Sequence, residues 1–265
     1  MFQHLRRVAK VAVVGCSVSW ASVALAASAV SGQGTWESTL QARDINHDGQ
    51  IDAFYDTALN VSWLSDAYAD GPPLGFPAGR PIRFWGEAQE WVTNLDVFGV
   101  TGWRLPSVVD DFSATEPGGR HCPVDSLDGA AHSLCGFNSD VSRSELAHMY
   151  YVTLANKAPL AIDGTPQAGA GLVNSGPFAD LRDSIYWTGV HHQGGGGYVW
   201  AFSMDGGWQN VDDPFHGFPY GAWAVHDGDV GAIAMAVPEP ESWAMLLAGC
   251  FTVGAILNRR RRAMR

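Results

Sequence analysis

Long apolar runs occur only near the two ends of this chain of 265 residues, and this restricts where a folded core can form. At the start, a basic stretch over residues 4–10 precedes an apolar run over residues 11–25, and the small-residue pattern Ala24-Leu25-Ala26 closes the run. This order is typical of a secretory signal peptide rather than of a buried N-terminal helix. We therefore predict a signal peptide over residues 1–26 and export through the Sec route.

The C-terminal end has its own order of features, assigned here to a tail over residues 237–265. Pro238-Glu239-Pro240 is followed by an apolar stretch from Ala244 to Leu257 and then by the arginines 259–262. The apolar stretch is shorter than the roughly 20 residues that cross a bilayer comfortably, and the arginines would stay on the cytoplasmic side. A permanent tail anchor is one interpretation of this pattern.

The tail also resembles the PEP-CTERM sorting signal of Gram-negative bacteria, because Pro238, Glu239 and Pro240 precede an apolar helix and a terminal arginine run. The resemblance implies a C-terminal transmembrane helix that holds the protein in the inner membrane as an intermediate. It also implies an exosortase-type sorting protease as a partner, which cuts near the Pro-Glu-Pro motif and passes the protein to the cell surface or the extracellular matrix.

The part between the two ends is strongly acidic. Residues 27–237 contain 8 Lys and Arg against 25 Asp and Glu, a formal charge of −17. Such a surface repels nucleic acid and attracts cations, so no nucleic-acid partner is expected. It also disfavours sulfated or uronic-acid glycans unless calcium bridges the charges, which makes neutral sugars the expected carbohydrate class.

Two cysteines remain once the signal peptide and the tail are set aside. Cys122 and Cys135 lie in a Gly-rich, polar stretch, and in an oxidising compartment such a pair predicts a disulfide that closes a short loop. The alternative is a zinc site that also uses His121 and His132, although the spacing fits no familiar zinc finger.

A calcium-loop pattern precedes the first predicted strand. Its oxygen-bearing side chains are Asp44, Asn46, Asp48 and Asp52, with Gly49 at the turn. An EF-hand would need a bidentate acid where Tyr55 stands, and the following residues indicate a strand rather than an exiting helix. The alternative is therefore an Asp/Asn/Gly turn between strands. Calcium is the one cofactor that the sequence suggests. Residues 27–54 are assigned to a leader segment, which is expected to be disordered at its start, followed by this turn.

Hydrophobic periodicity predicts an α+β domain with two helices, a small antiparallel sheet and long loops. Apolar residues at helical spacing place one helix from Phe84 to Leu95. They place a second helix up to Leu154, starting at the capping-box pattern Ser142-Arg143-Ser144-Glu145. The predicted strands are residues 51–55, 59–64, 103–106, 185–189, 198–202, 208–211 and 222–225.

Several short stretches resemble one bacterial domain family, found at the C-terminus of the Lcl collagen-like adhesin and in many PEP-CTERM proteins. They are Leu59-Asn60-Val61-Ser62-Trp63-Leu64, Gly102-Trp103-Arg104-Leu105-Pro106, Ser144-Glu145-Leu146-Ala147-His148-Met149, Tyr186-Trp187-Thr188-Gly189 and Ala222-Trp223-Ala224-Val225. The resemblance implies a C-type-lectin-like fold over residues 55–236. Sugar-binding lectins of this fold hold calcium with a Glu-Pro-Asn type motif and a Trp-Asn-Asp type motif. Only the second is partly matched here, by Trp208-Gln209-Asn210-Val211-Asp212-Asp213. Trp103, Trp187 and Trp223 are interpreted as core residues.

No nucleophile elbow, phosphate loop, dinucleotide fingerprint or zincin spacing is present, so we expect no enzyme. The leading hypothesis is a carbohydrate-binding surface protein, whose partners are polysaccharide or matrix components. The candidate ligand-binding residues are His191, His192, Tyr198, Trp208, Asp212 and Asp213. One alternative is a structural matrix protein with no small ligand. A less favoured one is a glycoside hydrolase that uses Asp110-Asp111 or Asp212-Asp213.

Overall fold

A computed structural model describes residues 28–68, 82, 84–110, 136–194, 196–215 and 218–232. The predicted signal peptide, the Cys122 and Cys135 pair with its zinc alternative, and the tail with Pro238, Glu239 and Pro240 lie outside these residues. No helix within the described ranges is long and apolar enough to cross a membrane.

The described residues form an α+β fold of short elements. The strands are β1 (Leu40–Arg43), β2 (Ala53–Asp56), β3 (Val61–Leu64), β4 (Ile185–His191), β5 (Val199–Ser203), β6 (Trp208–Asp212) and β7 (Val225–Asp227). The helices are α1 (Trp36–Thr39), α2 (Trp85–Thr93) and α3 (Glu145–His148), and a π-helical turn over Met149–Thr153 continues α3. The predicted class is therefore confirmed as α+β with few helices, long loops and antiparallel strands.

The strands form two sheets, where the sequence predicted one. The first has the order β1-β2-β3-β7 and the second the order β4-β5-β6, and every strand pair is antiparallel. The predicted strand at 103–106 is reduced to a single bridge between Arg104 and Val225. The strand predicted at 222–225 is shifted towards the C-terminus. It is β7, which starts at Val225, where pairing with Trp63 of β3 begins.

The segment before β1 is packed against the domain, so the prediction of a disordered leader is wrong for the residues described. The Val30 N–H donates to Asn174 Oδ1 at 2.9 Å, and the Gln33 side-chain amide donates to the Leu154 carbonyl at 3.1 Å. Trp36 packs against the core. Since β1 pairs with β2 in the first sheet, the fold begins well before Tyr55.

Both predicted helices are present, but each is shorter than expected. α2 buries Ala88 and Val92, as its apolar spacing predicted. The N-cap of α3 is Ser144 rather than the predicted Ser142, since the Ser144 hydroxyl accepts the Ala147 N–H. Glu145 does not complete a capping box there. Its carboxylate instead pairs with Arg104, at 2.7 Å.

Two aromatic-rich clusters make up the core. In the first, Trp63 and Trp223 lie 4.6 Å apart between ring centroids, and Phe178 packs edge-on against Trp223 at 4.7 Å. In the second, Trp187 packs on Tyr220 at 4.6 Å. Trp63, Trp187 and Trp223 are fully buried. Each buried aromatic side chain contributes roughly 2–3 kcal/mol by area, so these rings are a main source of stability.

Candidate functional site

The end of the second sheet where β4 stops is shaped by a bulge in that strand. Trp187 pairs with Ala201 and His191 pairs with Val199, so β4 holds two more residues than β5 between these pairs. The bulge turns the carbonyl of Thr188 away from the ladder, and this carbonyl accepts the indole N–H of Trp85 at 2.8 Å. The bulge therefore fixes the start of α2 against the sheet.

Strand register brings candidate residues from two different strands to this same end. His191 pairs with Val199, and Val199 pairs with Asp212, so the three residues form one row across the sheet. Tyr198 immediately precedes Val199 in the chain, so it lies beside this row at the same end of the sheet. Three of the six predicted ligand-binding residues, His191, Tyr198 and Asp212, are therefore neighbours along this end.

Two segments outside the prediction complete the surface. The Trp85 ring packs on His191 with its centroid 4.4 Å from that of the imidazole, and the backbone N–H of Trp85 donates to the Pro214 carbonyl at 3.2 Å. The loop after β6 exposes Phe215 and Phe218, which are 76% and 70% exposed. We name this surface the aromatic edge. It consists of Trp85, His191, Tyr198, Asp212, Asp213, Phe215 and Phe218.

The carboxylates of the aromatic edge are held in fixed orientations. Asp212 accepts the hydroxyl of Tyr220 and the N–H of Asp213, and Asp213 accepts the Phe215 N–H at 2.9 Å. Burial and the neighbouring Asp212 carboxylate raise the pKa of Tyr220 above its ordinary value, so Tyr220 stays a neutral hydrogen-bond donor. These acceptors are thus oriented before any ligand arrives.

His192 is turned away from the exposed part of the edge. Its Nδ1 lies 3.2 Å from the Asp110 carboxylate, and both side chains are largely buried. Asp110 also accepts the Gln193 N–H, so it fastens the loop between β4 and β5. We therefore assign His192 to positioning this loop. Asp110 is fully engaged by these two contacts, which does not favour the hydrolase alternative.

Trp208 does not belong to the aromatic edge. It begins β6 and pairs with Ser203, at the opposite end of the sheet from Asp212. Its ring covers Gly136, where an added Cβ would lie 2.8 Å from it. The sequence grouped Trp208 with Asp212 because both were expected to be presented by the loops between Gly189 and Pro219, but they lie at opposite ends of β6, and four strand residues span about 13 Å.

The calcium-loop residues form a tight turn far along the chain from the aromatic edge. Asp44 accepts the Asp48 and Gly49 N–H groups at 3.1 and 2.8 Å, and Asn46 accepts the Asp48 N–H at 3.0 Å. Asp52 accepts the Ile45 N–H at 2.7 Å. Hydrogen bonds from Gln50 and Asn46 lower the pKa of Asp48. The exit from this loop is β2, as predicted, and not a helix.

Metal binding has no further support in the described part of the chain. No group of three or more His, Cys, Asp or Glu side chains there is arranged to hold a metal ion. The oxygens of Asp44, Asn46 and Asp48 converge on one turn, which is compatible with calcium as well as with the plain turn. Calcium at Asp44, Asn46, Asp48 and Asp52 therefore stays a prediction.

Trp85, Phe215 and Phe218 were missed as site residues, for different reasons. Trp85 was assigned to a core-facing helix, and its placement depends on the distant bulge in β4. Phe215 and Phe218 flank a short His-Gly pair between prolines, and two exposed aromatics in such a loop were the signal that could have found them.

Comparison with known proteins adds no assignment. No protein-family model matches the chain, and no curated protein or solved structure matches it significantly. The likeness to PEP-CTERM proteins and to the Lcl domain family therefore rests on the sequence motifs alone, and function has to be inferred from the geometry of the site.

Proposed function

We propose that this chain is an exported cell-surface or matrix protein whose domain binds carbohydrate at the aromatic edge, without catalysis. In this proposal the Pro238-Glu239-Pro240 tail is processed by an exosortase-type protease, and the domain is a C-type-lectin-like fold of the Lcl type. A structural matrix protein without a ligand is the alternative. The observation that carries the proposal is the meeting of exposed aromatic rings with oriented carboxylates at one end of the second sheet.

The chemistry of sugars fits this surface. The exposed rings of Tyr198 and Phe215 can stack on the apolar faces of sugar rings, while Asp212 and His191 offer hydrogen-bonding groups to hydroxyls. Monomeric proteins rarely expose neighbouring large aromatics unless the surface has a partner.

The test is binding of the full chain, purified in detergent, to a polysaccharide panel that includes the host's own exopolysaccharide. We expect saturable binding that falls about 5- to 30-fold in Phe215→Ala, because stacking on one aromatic is worth roughly 1–2 kcal/mol. Ile162→Ala is the matched control, since Ile162 is 71% exposed on a different loop. Absence of binding across the panel would overturn the proposal and favour the structural alternative.

Calcium is tested in the same assay by adding chelator. If chelator abolishes binding by the wild type, and the Asp48→Ala variant also fails to bind in the presence of calcium, the Asp44 to Asp52 loop is assigned to ligand binding. Binding that persists in chelator would place recognition on the aromatic edge alone.

A further inference from the structure

The charge around the aromatic edge carries information about its ligand. The edge itself contains the carboxylates Asp212 and Asp213, and α2, which begins at Trp85, adds Glu87 and Glu90. Arg80 and Arg83 precede α2 in the sequence, and both lie outside the described residues. Apart from His191, the titratable side chains among the described residues of the edge are therefore acids, and the edge belongs to a domain with a formal charge of −17.

Three of the described arginines elsewhere are already neutralised by carboxylates. Arg43 pairs with Asp229 at 2.7 Å, and Arg104 pairs with Glu145 at 2.7 Å. Arg182 pairs with Asp180. Since these positive charges are cancelled locally, they do little to offset the negative field at the edge.

Exposed aromatic faces beside carboxylates are the pair of groups that recognises an organic cation. An ammonium group is attracted by the face of an aromatic ring, and a carboxylate a few ångströms away completes its hydrogen bonds. At the edge, Asp213 is exposed and bonded to the backbone of Phe215, so carboxylate and ring are held on the same turn.

We infer that the aromatic edge binds a cationic polysaccharide, one built from amino sugars whose amines are free. The inference rests on the proposed carbohydrate-binding function and specifies its ligand class. A sulfated or uronic-acid glycan would be repelled by the same carboxylates, and a neutral glycan would use the rings but not the charge.

The experiment compares two probes with the same backbone: a β-1,4-linked glucosamine hexamer with free amines and its fully N-acetylated form. Each is titrated calorimetrically into the full chain in detergent. We expect the free-amine hexamer to bind about tenfold more tightly than the acetylated one. Phe215→Ala should weaken the free-amine hexamer about tenfold, because the ring is needed as well as the charge.

Matched carboxylate variants separate a site from general attraction. Asp213→Asn should weaken the free-amine hexamer about fivefold and leave the acetylated hexamer unchanged. Asp163→Asn is the control, since Asp163 is an exposed aspartate whose carboxylate accepts the Thr165 N–H in a turn of the same kind. The control should bind like the wild type.

Each outcome is decisive. Equal binding of the two hexamers would overturn the inference and leave the proposed function standing. An equal loss in Asp213→Asn and Asp163→Asn, with no effect of Phe215→Ala, would also overturn it, because binding would then be unspecific attraction to an acidic protein. Failure of both hexamers, together with failure of the whole polysaccharide panel, would overturn the proposed function itself.

Discussion

Asn174 ties three separate parts of the backbone together. Its side-chain carbonyl accepts the N–H groups of Val30 and Gly176, and its amide donates to the carbonyls of Gln33 and Leu154, with distances from 2.9 to 3.1 Å. The residue is fully buried. Because two of these hydrogen bonds are buried and the two to Val30 and Gln33 are partly buried, this amide is a strong constraint on where the N-terminal segment lies.

We expect Asn174→Leu, which keeps a branched side chain with the same number of heavy atoms, to lower the free energy of unfolding by about 3–5 kcal/mol, because it removes all four of these hydrogen bonds. Urea denaturation followed by tryptophan fluorescence measures the change. In the control Asn94→Leu the change should stay below about 1 kcal/mol, since Asn94 is exposed and its amide donates to one carbonyl. Similar losses in both variants would contradict the assignment.

At the residue scale, the sequence showed which side chains have suitable chemistry better than it showed which of them lie next to each other in the structure. His191, Tyr198 and Asp212 were chosen for their side chains; strand register places His191 and Asp212 in one row through Val199, and Tyr198 immediately precedes Val199. Trp208 was chosen on the same grounds and lies at the other end of β6. Trp85 was left out because nothing local shows that its indole would meet a bulge about 100 residues away.

A buried carboxyl group on β2, Asp56, and a partly buried imidazole on α3, His148, influence each other electrostatically. Asp56 is fully buried, and its Oδ2 has no hydrogen-bond partner among the described residues. Burial raises the pKa of Asp56, although the N–H groups of Ala58 and Leu59 oppose this. Burial lowers the pKa of His148 below its ordinary 6.5, and the nearby Asp56 opposes the shift. The two groups therefore respond to acid in opposite directions.

Whether each residue raises or lowers the free energy of unfolding on acidification depends on whether the folded or the unfolded chain takes up its proton at the higher pH. The unfolded chain protonates His148 at a higher pH than the folded one does, so His148 costs stability as the pH falls below 6.5. The folded chain protonates Asp56 at a higher pH than the unfolded one does, so Asp56 adds stability as the pH falls towards its ordinary 3.8.

We expect His148→Gln to lose less stability than the wild type between pH 7 and about pH 5.5, because the proton uptake of the unfolded state at this residue is removed. Asp56→Asn should lose more than the wild type on acidification, because its opposing contribution is gone. Denaturant unfolding at a series of pH values measures both slopes. Parallel slopes for all three proteins would show that the pair does not titrate as described.

Elements with strong local patterns were predicted, and elements that depend on distant partners were not. α2 and α3 show apolar residues at helical spacing, and β4 to β6 are rich in aromatic and β-branched residues. β1, with the sequence Leu-Gln-Ala-Arg, has no such pattern and is a strand because β2 lies beside it. The division of the strands into two sheets was missed for the same reason.

At the scale of the whole molecule, the two ends of the described chain meet in the first sheet. β1 near the start pairs with β2, and β7 near the end pairs with β3. Arg43 of β1 also pairs with Asp229, just after β7. The segment before Tyr55 is therefore part of the domain, and the predicted boundary at this residue cuts through a sheet.

A chain that begins at Tyr55 should accordingly be much less stable than one that begins at Ser28. It loses β1 and the first half of β2, and the partly buried Trp36 and Leu40 alone account for roughly 4 kcal/mol of apolar burial. Thermal unfolding of the two chains, both ending at the same residue, makes the comparison. Equal stability would show that the leader is dispensable after all.

The sequence by itself determined the broad class of the domain, its acidic charge, the core-facing side of both helices and most strands of the second sheet, because these follow from local periodicity and composition. It also carries the signal-peptide and sorting-tail predictions. The tertiary structure decided the two-sheet arrangement, the place of the N-terminal segment and the membership of the aromatic edge. These depend on contacts between residues far apart in the chain, whose pairing is selected by packing of the whole molecule and leaves no local pattern.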